Sequence, residues 1–452
     1  MRSFRLMIFL LVWAGFSCKQ QDGDYKPLIH DPALYSRTVK ELNNVVLQNN
    51  FPPMIASRNY AYANIAAYEV MVAGDSRFQS LSGQIKHMPA LPVYDTANVD
   101  FHFATLLAFC KVGEAVTFPE GSMRGYVERL NRMADSAGMS SIMMKASQAF
   151  ADSVSNHILN WSKQDKYLIT RSASKYSVSN EEGRWVPTPP GYDQALEAHW
   201  MEIRPLVLDT CSQFMPVRPP KYDIKDTNSV FSKALMEVKK IGDSLTEEQK
   251  HIADFWDDNP VKKVVIGHAM MTIKKFSPPG HWMNIVGIAS KKANADFSTT
   301  VYAYAKTAIA LYDAFISCWD EKFRSNYVRP ETVINKHLDP DWRPYIQTPP
   351  FPSYTSGHST ISAAAAEVMT EIFGNISFTD TSLLEFGIKN REIRSFRDAA
   401  QEANISRLFG GIHYRFDCDN GNVAGRKLGE FIVQKLQMKK GPELTLNQNL
   451  KK

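Results

Sequence analysis

Three short segments in the C-terminal half of the sequence combine cationic side chains with histidines, serines and glycines. The first segment is KFRSNYVRP, in which Lys322 and Arg329 are seven residues apart. Seven residues make about two helical turns, so one helix face could present both cations before Pro330 ends the helix. Because a lysine and an arginine on one helix face are usually solvated, this segment alone indicates little.

The second segment, PPFPSYTSGH, ends in Ser356, Gly357 and His358 and leads into an alanine-rich stretch. At the start of a helix, the serine hydroxyl and the backbone N–H groups would face the positive end of the helix dipole. Such a helix end is a receptor for oxyanions. Taken by itself, the simpler interpretation of this segment is a plain serine N-cap beside a surface histidine.

The third segment, SRLFGGIHYRFD, contains Arg407 at a predicted helix end, followed by two glycines and by His413 four residues before Asp417. This spacing lets the carboxylate hydrogen-bond one ring nitrogen and fix which nitrogen faces a ligand. A lone histidine–aspartate pair of this kind is commonly structural. Its position directly after an arginine and a glycine hinge favours a binding site.

The elements that must position these segments are predicted to be helices. Apolar residues recur at helical spacing through most of the chain, and alternating strand-like runs are scarce. The predicted helices are 31–49, 54–73, 98–117, 123–137, 141–163, 229–243, 246–257, 281–294, 298–323, 359–374, 388–408 and 419–438. The sequence therefore predicts an all-α protein of two packed helical bundles.

Residues 167–226, rich in serine, proline and tyrosine, separate the two groups of helices. The stretch is too long for an ordinary connector, so we expect it to lie over the helices as a strap. The predicted organisation is a signal peptide (1–17), a tether (18–30), an N-terminal bundle (31–166), the strap (167–226), a C-terminal bundle that holds the three segments (227–440) and a tail (441–452).

The first residues indicate export. Two arginines precede an apolar run from Leu6 to Phe16, which has the length of a signal-peptide core and is too short to span a bilayer. Small residues before Cys18 resemble a bacterial lipobox, although Phe16 departs from the residue type usual at its position. We expect removal of residues 1–17 and a lipid anchor on Cys18 in the bacterial envelope; cleavage and secretion without lipid is the alternative.

Composition excludes some classes of protein. A formal charge of +5 on 452 residues, with acids and bases interspersed, argues against a dedicated nucleic-acid binder. After Cys18, the cysteines occur singly and without zinc-like spacing, which argues against a soft-metal site. In an oxidising compartment they could form one or two disulfides, with pairing left open among Cys110, Cys211, Cys318 and Cys418.

Together the segments match Lys-x6-Arg-Pro, then Pro-Ser-x-x-Ser-Gly-His, then Ser-Arg-x5-His-x3-Asp. In this order they resemble the signature of the superfamily that joins type 2 phosphatidic acid phosphatases, bacterial acid phosphatases and vanadium-dependent haloperoxidases. The runs DFW, PPGHW and WVPTP, with Trp319 close before the first segment, resemble the haloperoxidase branch. Phe351 stands where algal bromoperoxidases carry a second histidine, so the resemblance is to bacterial and fungal members.

The resemblance implies a vanadate cofactor and a role for each motif residue. It implies that His413 makes the covalent link to the metal with Asp417 orienting it, that His358 acts as acid or base at the opposite apex, and that Lys322 is catalytic by polarising the bound peroxide. Trp319 and Phe351 would shape a halide pocket, and Asp258 would partner Arg407. The residues implied to bind the cofactor oxygens are Lys322, Arg329, Ser356, Gly357 and Arg407.

On this resemblance the expected reaction is oxidation of a halide by hydrogen peroxide to hypohalous acid. Iodide or bromide is favoured, because bacterial relatives with a phenylalanine at the position of Phe351 include iodide users. The same site could instead hydrolyse a phosphomonoester through a phosphohistidine at His413. A catalytically silent binding module of the envelope is a third hypothesis. We expect a monomer or homodimer that meets the membrane only through lipid on Cys18.

Overall fold

A computed structural model describes residues 24–260, 262–266 and 268–440. The predicted signal peptide, Cys18 and the tail 441–452 lie outside these residues. The helices are α1 (Lys26–Ile29), α2 (Pro32–Gln48), α3 (Pro53–Gly74), α4 (Phe101–Ala115), α5 (Arg124–Ser136), α6 (Ser141–Ser162), α7 (Tyr167–Arg171), α8 (Val230–Gly242), α9 (Glu247–Phe255), α10 (Pro278–Lys292), α11 (Phe297–Ser325), α12 (Pro330–His337), α13 (Gly357–Phe373), α14 (Phe396–Phe409) and α15 (Arg415–Lys435). This confirms the predicted all-α class.

The strands are few and short. Strands β1 (Lys262–Ile266) and β2 (Ala269–Ile273) form one antiparallel pair, and β3 (Phe378–Asp380) and β4 (Arg391–Ile393) form another. The β4 strand corrects the helix predicted over 388–408, which begins only at Phe396. There Ser395 caps the helix by accepting the N–H of Asp398. The first hairpin was not predicted, because its two strands are too short for a clear alternating pattern.

The chain between Lys322 and Arg329 also differs from the prediction. Helix α11 ends at Ser325, where Asn326 takes a left-handed conformation with φ of 48°. Pro330 does not end this helix but begins α12, as suits a residue that lacks an N–H to donate. Lys322 and Arg329 therefore do not share a helix face, and a turn brings the arginine back toward the lysine.

Helices α3 and α11 form the centre of the molecule. Every residue of α3 from Met54 to Met71 is buried, and α11 is buried almost all round. The two helices belong to a single hydrophobic cluster that also includes residues of α4, α10 and α13. Because interiors of this kind are close-packed, the helices that carry the first two motif segments have little freedom to shift.

Residues 167–226 are mostly irregular and are bound to the helices at several points. The buried carboxylate of Asp313 on α11 accepts the backbone N–H groups of Leu206, Val207 and Leu208 at 2.7, 2.7 and 3.0 Å. The backbone N–H of Leu196 donates to the carbonyl oxygen of Pro350, 2.9 Å away in the second motif segment. Residues 167–226 are thereby held against both α11 and the second motif segment.

The described residues were also compared with the requirements for a membrane-spanning helix and for disulfide bonds. Among the described residues no helix is both long and apolar enough to cross a membrane. The four cysteines after Cys18 are free thiols in the structure, with Cys211 half-buried and the other three buried.

Candidate active site

Lys322 is held in place by the second motif segment. It lies on the last turn of α11 with no exposed surface, and its Nζ atom donates to the carbonyl oxygens of Pro352 at 2.8 Å and Ser353 at 3.0 Å. These carbonyls are neutral, so they satisfy the hydrogen-bonding capacity of the ammonium group but not its charge. A buried cation without a directly paired anion is costly, and its presence indicates a ligand that supplies the negative charge.

Arg329 joins the first segment to the other two. Its Nε atom donates to the carbonyl oxygen of Phe351 at 2.9 Å, and its Nη1 atom donates to that of Ile412 at 2.8 Å. Nη1 also lies 3.1 Å from Nε2 of His413. The remaining nitrogen, Nη2, is buried and has no hydrogen-bond partner within the described part of the chain. The guanidinium is thus fixed on one side and free to bind an oxygen on the other.

His413 is oriented by Asp417, as their spacing predicted. Its Nδ1 atom lies 2.9 Å from Oδ2 of Asp417, which also accepts the hydroxyl of Ser353 and, at 3.2 Å, the backbone N–H of Tyr414. A proton on Nδ1 leaves the lone pair on Nε2, the nitrogen that a metal or a phosphoryl group requires. Because Nε2 faces the Arg329 guanidinium, it also faces the position of an anion bound there.

Ser356 and Gly357 begin helix α13. The buried Ser356 is its N-cap, and its Oγ atom accepts the backbone N–H of Ser359 at 3.2 Å and the Ser359 hydroxyl at 2.8 Å. Its own hydroxyl hydrogen stays available to an acceptor in the site. At Gly357 an added Cβ would have only the Trp319 ring within 4 Å, at 3.8 Å, so the space on that side of the backbone is open. Ser356 thus caps the start of the helix as the sequence predicted, and a helix start of this kind suits an oxyanion.

Arg407 and His358 are both hydrogen-bonded to the backbone of Trp256. Arg407 lies on the last turn of α14, donates from Nε to Ser406 Oγ at 3.0 Å, and donates from Nη2 to the carbonyl oxygen of Trp256. The His358 ring is hydrogen-bonded to the backbone of the same residue. The His358 side chain is 17% exposed, yet its Nε2 atom is buried and, among the described residues, unpartnered. Both side chains therefore depend on where Trp256 lies.

Asp258, predicted as a partner of Arg407, attracts that arginine without a direct ion pair and makes its hydrogen bonds to His281. Both of its carboxylate oxygens lie 3.0 Å from Nδ1 of His281, and Oδ2 is 3.9 Å from Nε2 of His358. Asp258 still attracts Arg407, but Asp257 does so more strongly. Asp258 bonds elsewhere because His281, the histidine of the PPGHW run, is buried beside this carboxylate.

The electrostatics of the site favour a bound anion. Burial lowers the pKa of Lys322 to about 7 and that of Arg329 to about 10. Burial, with Arg329 and Lys322 nearby, holds the pKa of His413 well below its usual value. Burial, with Arg407, does the same to the pKa of His358. At neutral pH both imidazoles are therefore neutral. A bound anion would favour the charged forms of Lys322 and Arg329, which burial alone disfavours.

Comparison with known proteins agrees with this geometry. Residues 302–440 match the family model of the second helical-bundle domain of vanadium chloroperoxidase. The vanadium chloroperoxidase of Curvularia inaequalis is 27% identical over 180 residues, a match covering 28% of this chain and 29% of that protein. A bacterial vanadium-dependent iodoperoxidase of known structure is 41% identical, with a TM-score of 0.86 over 91% of this chain and 98% of its own.

This chain belongs to the vanadium-dependent haloperoxidase family. A bacterial vanadium-dependent chloroperoxidase in its holo form is more distant, with 15% identity and a TM-score of 0.65 over 85% of this chain and 92% of its own, so it shows the fold alone. The matched portion of the Curvularia protein is under a third of its length.

The chemistry of the atoms in the site fits vanadate. Arg329 Nη2 and His358 Nε2 are buried and unpartnered among the described residues, and a neutral His413 presents Nε2 beside them. Lys322 and Arg407 add two further buried cations. Unpaired donors and cations of this density are expected around a small multivalent oxyanion and are costly without one.

A partly enclosed cavity of about 70 Å³ reaches this site. Gly357, His358, Arg407 and His413 line this cavity, whereas Lys322, Arg329 and Ser356 are buried and do not line it. The predicted halide-pocket residues Trp319 and Phe351 also line the cavity, with ring centroids 5.0 Å apart. The cavity therefore combines an apolar wall with cationic and imidazole side chains.

Sequence reasoning missed three contributors to the site. Ser353 shares the Asp417 carboxylate with His413, and the spacing within PSYTSGH gives no sign of it. Asp380 binds the far side of His281 from a position 99 residues away in the chain, a contact that no local pattern encodes. His281 itself lies in the PPGHW run, which marked the family branch but carried no predicted role.

Proposed function

We propose that this haloperoxidase uses vanadate to oxidise iodide with hydrogen peroxide, giving hypoiodous acid and water from iodide, peroxide and a proton. The observation that carries the proposal is the neutral Nε2 of His413, fixed through Asp417 and facing a set of buried cations. The choice of iodide is supported by the resemblance at Phe351 and by the likeness to the bacterial iodoperoxidase. Bromide is the next candidate.

The residues that would hold the cofactor follow from their positions. His413 Nε2 would bind the vanadium, and the oxygens would accept hydrogen bonds from Lys322, Arg329, Arg407, the Ser356 hydroxyl and the Gly357 N–H. The bidentate guanidinium groups suit a tetrahedral oxyanion better than lysines would. When bound, vanadate supplies Lewis acidity toward peroxide without a change in its oxidation state.

His358 is the proposed base. Its neutral ring lines the cavity, and Nε2 has no protein partner among the described residues that would occupy its lone pair. It can therefore accept a proton from incoming hydrogen peroxide and return it to the departing oxygen. Arg407, bound to the carbonyl oxygen of Trp256, opposes protonation of His358 before peroxide arrives.

Lys322 and the two aromatic residues would act on the oxygen-transfer side. Lys322 Nζ lies 4.9 Å from the centroid of the Phe351 ring and 5.8 Å from the Trp319 ring, so its charge lies close to the wall along which a halide would enter. Iodide is less strongly hydrated than chloride, so it loses less hydration free energy when it moves next to an apolar wall. The wall also keeps bulk water from the reacting oxygen.

A paired assay on the protein lacking residues 1–18 tests the proposal. Vanadate-free enzyme is incubated with orthovanadate or with buffer, then assayed for peroxide-dependent oxidation of iodide and bromide and for hydrolysis of p-nitrophenyl phosphate. We expect halide oxidation only after vanadate is added, with iodide preferred. Robust phosphatase turnover without vanadate-dependent halide oxidation would instead establish the phosphomonoesterase alternative at the same site.

We also propose that the enzyme is exported and anchored through lipid on Cys18. The support is the arginine-flanked apolar run and the small residues before this cysteine. Metabolic labelling with a fatty acid and detergent phase partition of the wild type and Cys18→Ser proteins test this. Label and detergent partition are expected for the wild type only; an unlabelled wild type in the aqueous phase would leave cleavage and secretion.

A further inference from the structure

His281 is buried between two carboxylates beside the active site. It lies on α10 without exposed surface, with Nδ1 3.0 Å from both oxygens of Asp258 and Nε2 3.0 Å from Oδ2 of Asp380. Ionised carboxylates only accept hydrogen bonds, so both ring nitrogens must carry hydrogens. The geometry therefore describes an imidazolium clamped from both sides, here called the His281 clamp.

The charge of the clamp agrees with its geometry. Burial alone would lower the pKa of His281, but the two carboxylates outweigh burial and raise the pKa to about 10. Across the neutral range His281 stays charged, and both hydrogen bonds persist. A buried arrangement of this kind defines one conformation of the groups it joins.

The clamp fixes the short segment from Trp256 to Asp258, which follows α9. Asp258 has a φ of 42°, a left-handed conformation that is strained for a residue with a side chain and that its surroundings must maintain. Its carboxylate is bound to His281, and the Trp256 ring stacks on the His281 ring with centroids 4.7 Å apart and 24° between planes. His281 therefore holds both ends of the segment.

This segment in turn holds two active-site side chains. The Trp256 carbonyl accepts from Arg407 Nη2, and the Trp256 backbone is hydrogen-bonded to the His358 ring. The other end of the segment also approaches the site, since Asp258 Oδ2 lies 3.9 Å from His358 Nε2. A shift of the segment would thus move an oxyanion-binding guanidinium and the proposed base together.

We propose that His281 is a positioning residue: through Asp258 and Trp256 it sets the places of Arg407 and His358. The effect on oxyanion binding stands without any assumption about the reaction. The effect on turnover rests on the proposed function.

Two substitutions of His281 isolate the hydrogen bond from the charge. Asparagine places its amide N–H where Nδ1 stands and can still donate to Asp258, whereas glutamine reaches the Nε2 position and retains only Asp380. Both His281→Asn and His281→Gln remove the positive charge, so a difference between them reports the Asp258 contact. Thermal melting of both variants checks that they fold.

The primary readout is the dissociation constant for inorganic phosphate, measured by calorimetry on the vanadate-free full chain. We expect His281→Asn to bind within about threefold of the wild type, and His281→Gln to bind about 10–100-fold more weakly, the usual effect of losing a supporting contact around a ligand site. Equal affinities for the two folded variants would overturn the inference.

Asp258→Ala gives a second test that stays decisive if His281→Gln does not fold. Removing a carboxylate from the edge of an anion site should strengthen phosphate binding if Asp258 acts only through its charge. If Asp258 transmits the position of His281, phosphate binding should instead weaken about tenfold or more. Stronger binding in Asp258→Ala would contradict the inference.

Steady-state kinetics on the vanadate-loaded variants add the functional consequence. We expect kcat for iodide oxidation to fall in His281→Gln and to be largely restored in His281→Asn, with the KM for iodide unchanged because Trp319 and Phe351 are not bound to this segment. If neither variant nor wild type oxidises iodide while the phosphate affinities still differ, the proposed function fails and the positioning role stands. Equal phosphate affinities in an active enzyme would overturn the positioning role and leave the proposed function standing.

Discussion

Nδ1 of His413 lies 2.9 Å from Oδ2 of Asp417, and this contact leaves Nε2 as the only ring nitrogen directed at Arg329. The carboxylate is itself held by Ser353 and by the backbone of Tyr414. The His413 ring is therefore oriented before any cofactor binds. Binding of the cofactor does not have to supply the free energy that orients the ring.

Asp417→Ala should weaken vanadate binding about 10–100-fold, because His413 would lose the partner that fixes its tautomer and ring orientation. The measurement is the vanadate dissociation constant from titration of peroxide-dependent iodide oxidation. Asp419→Ala is the matched control, since Asp419 lies on the same helix and is exposed to solvent. Unchanged vanadate affinity in Asp417→Ala would refute the orienting role.

The two active-site histidines should fail in different ways. His413→Ala removes the nitrogen proposed to bind vanadium and should abolish vanadate retention on gel filtration. His358→Ala removes only the proposed base, so vanadate should remain bound while kcat falls about 10²–10⁴-fold, the usual contribution of general acid–base catalysis. Loss of all vanadate from His358→Ala would show that the division of roles is wrong.

Lys322→Met should separate stability from function. Burial opposes the charge of Lys322, so its replacement by an apolar side chain of similar length should leave the free energy of unfolding of the vanadate-free protein unchanged or higher. The same variant should lose the increase in melting temperature that vanadate gives the wild type. Urea unfolding and thermal melts with and without vanadate measure both effects, with the exposed Lys240→Met as control. Marked destabilisation of vanadate-free Lys322→Met would contradict the interpretation that the charge of Lys322 serves anion binding and not folding.

His281 should make stability depend on pH in the alkaline range. Its pKa is raised in the folded state from the ordinary 6.5 to about 10, so its contribution is complete below pH 6.5 and is lost as pH rises toward 10. The difference in free energy of unfolding between the wild type and His281→Asn should be largest at about pH 6 and shrink steadily to about pH 10. At the lower pH we expect about 3–5 kcal/mol, the usual cost of breaking a buried ion pair. A difference that does not change with pH would exclude the charged clamp.

The sequence predicted the parts of the site that local spacing encodes. The four-residue step from His413 to Asp417 forms the expected hydrogen bond, and Ser356 caps the expected helix. It did not predict the parts that depend on distant contacts. Asp258 binds His281 rather than pairing directly with Arg407, because the fold buries a histidine from α10 next to it. The pattern of residues within one segment does not predict which side chain a distant segment will place beside it.

The fold shows the same division. Long amphipathic or buried helices such as α6 and α11 were predicted within a few residues, because their patterns extend over many turns. The sequence predicted that Pro330 ends a helix, whereas it begins the next one, since a proline is compatible with either position and the left-handed Asn326 decides. Short strands β1 to β4 carry too few residues for a pattern to emerge.

Titration of the vanadate-free enzyme with orthovanadate, followed by the rate of peroxide-dependent iodide oxidation, tests most directly whether His413 carries a vanadate cofactor. We predict that activity is absent without vanadate, rises in proportion to vanadate added and saturates at one vanadate per chain, with no such rise in His413→Ala. Iodide oxidation that does not depend on vanadate, or that persists in His413→Ala, would contradict this role.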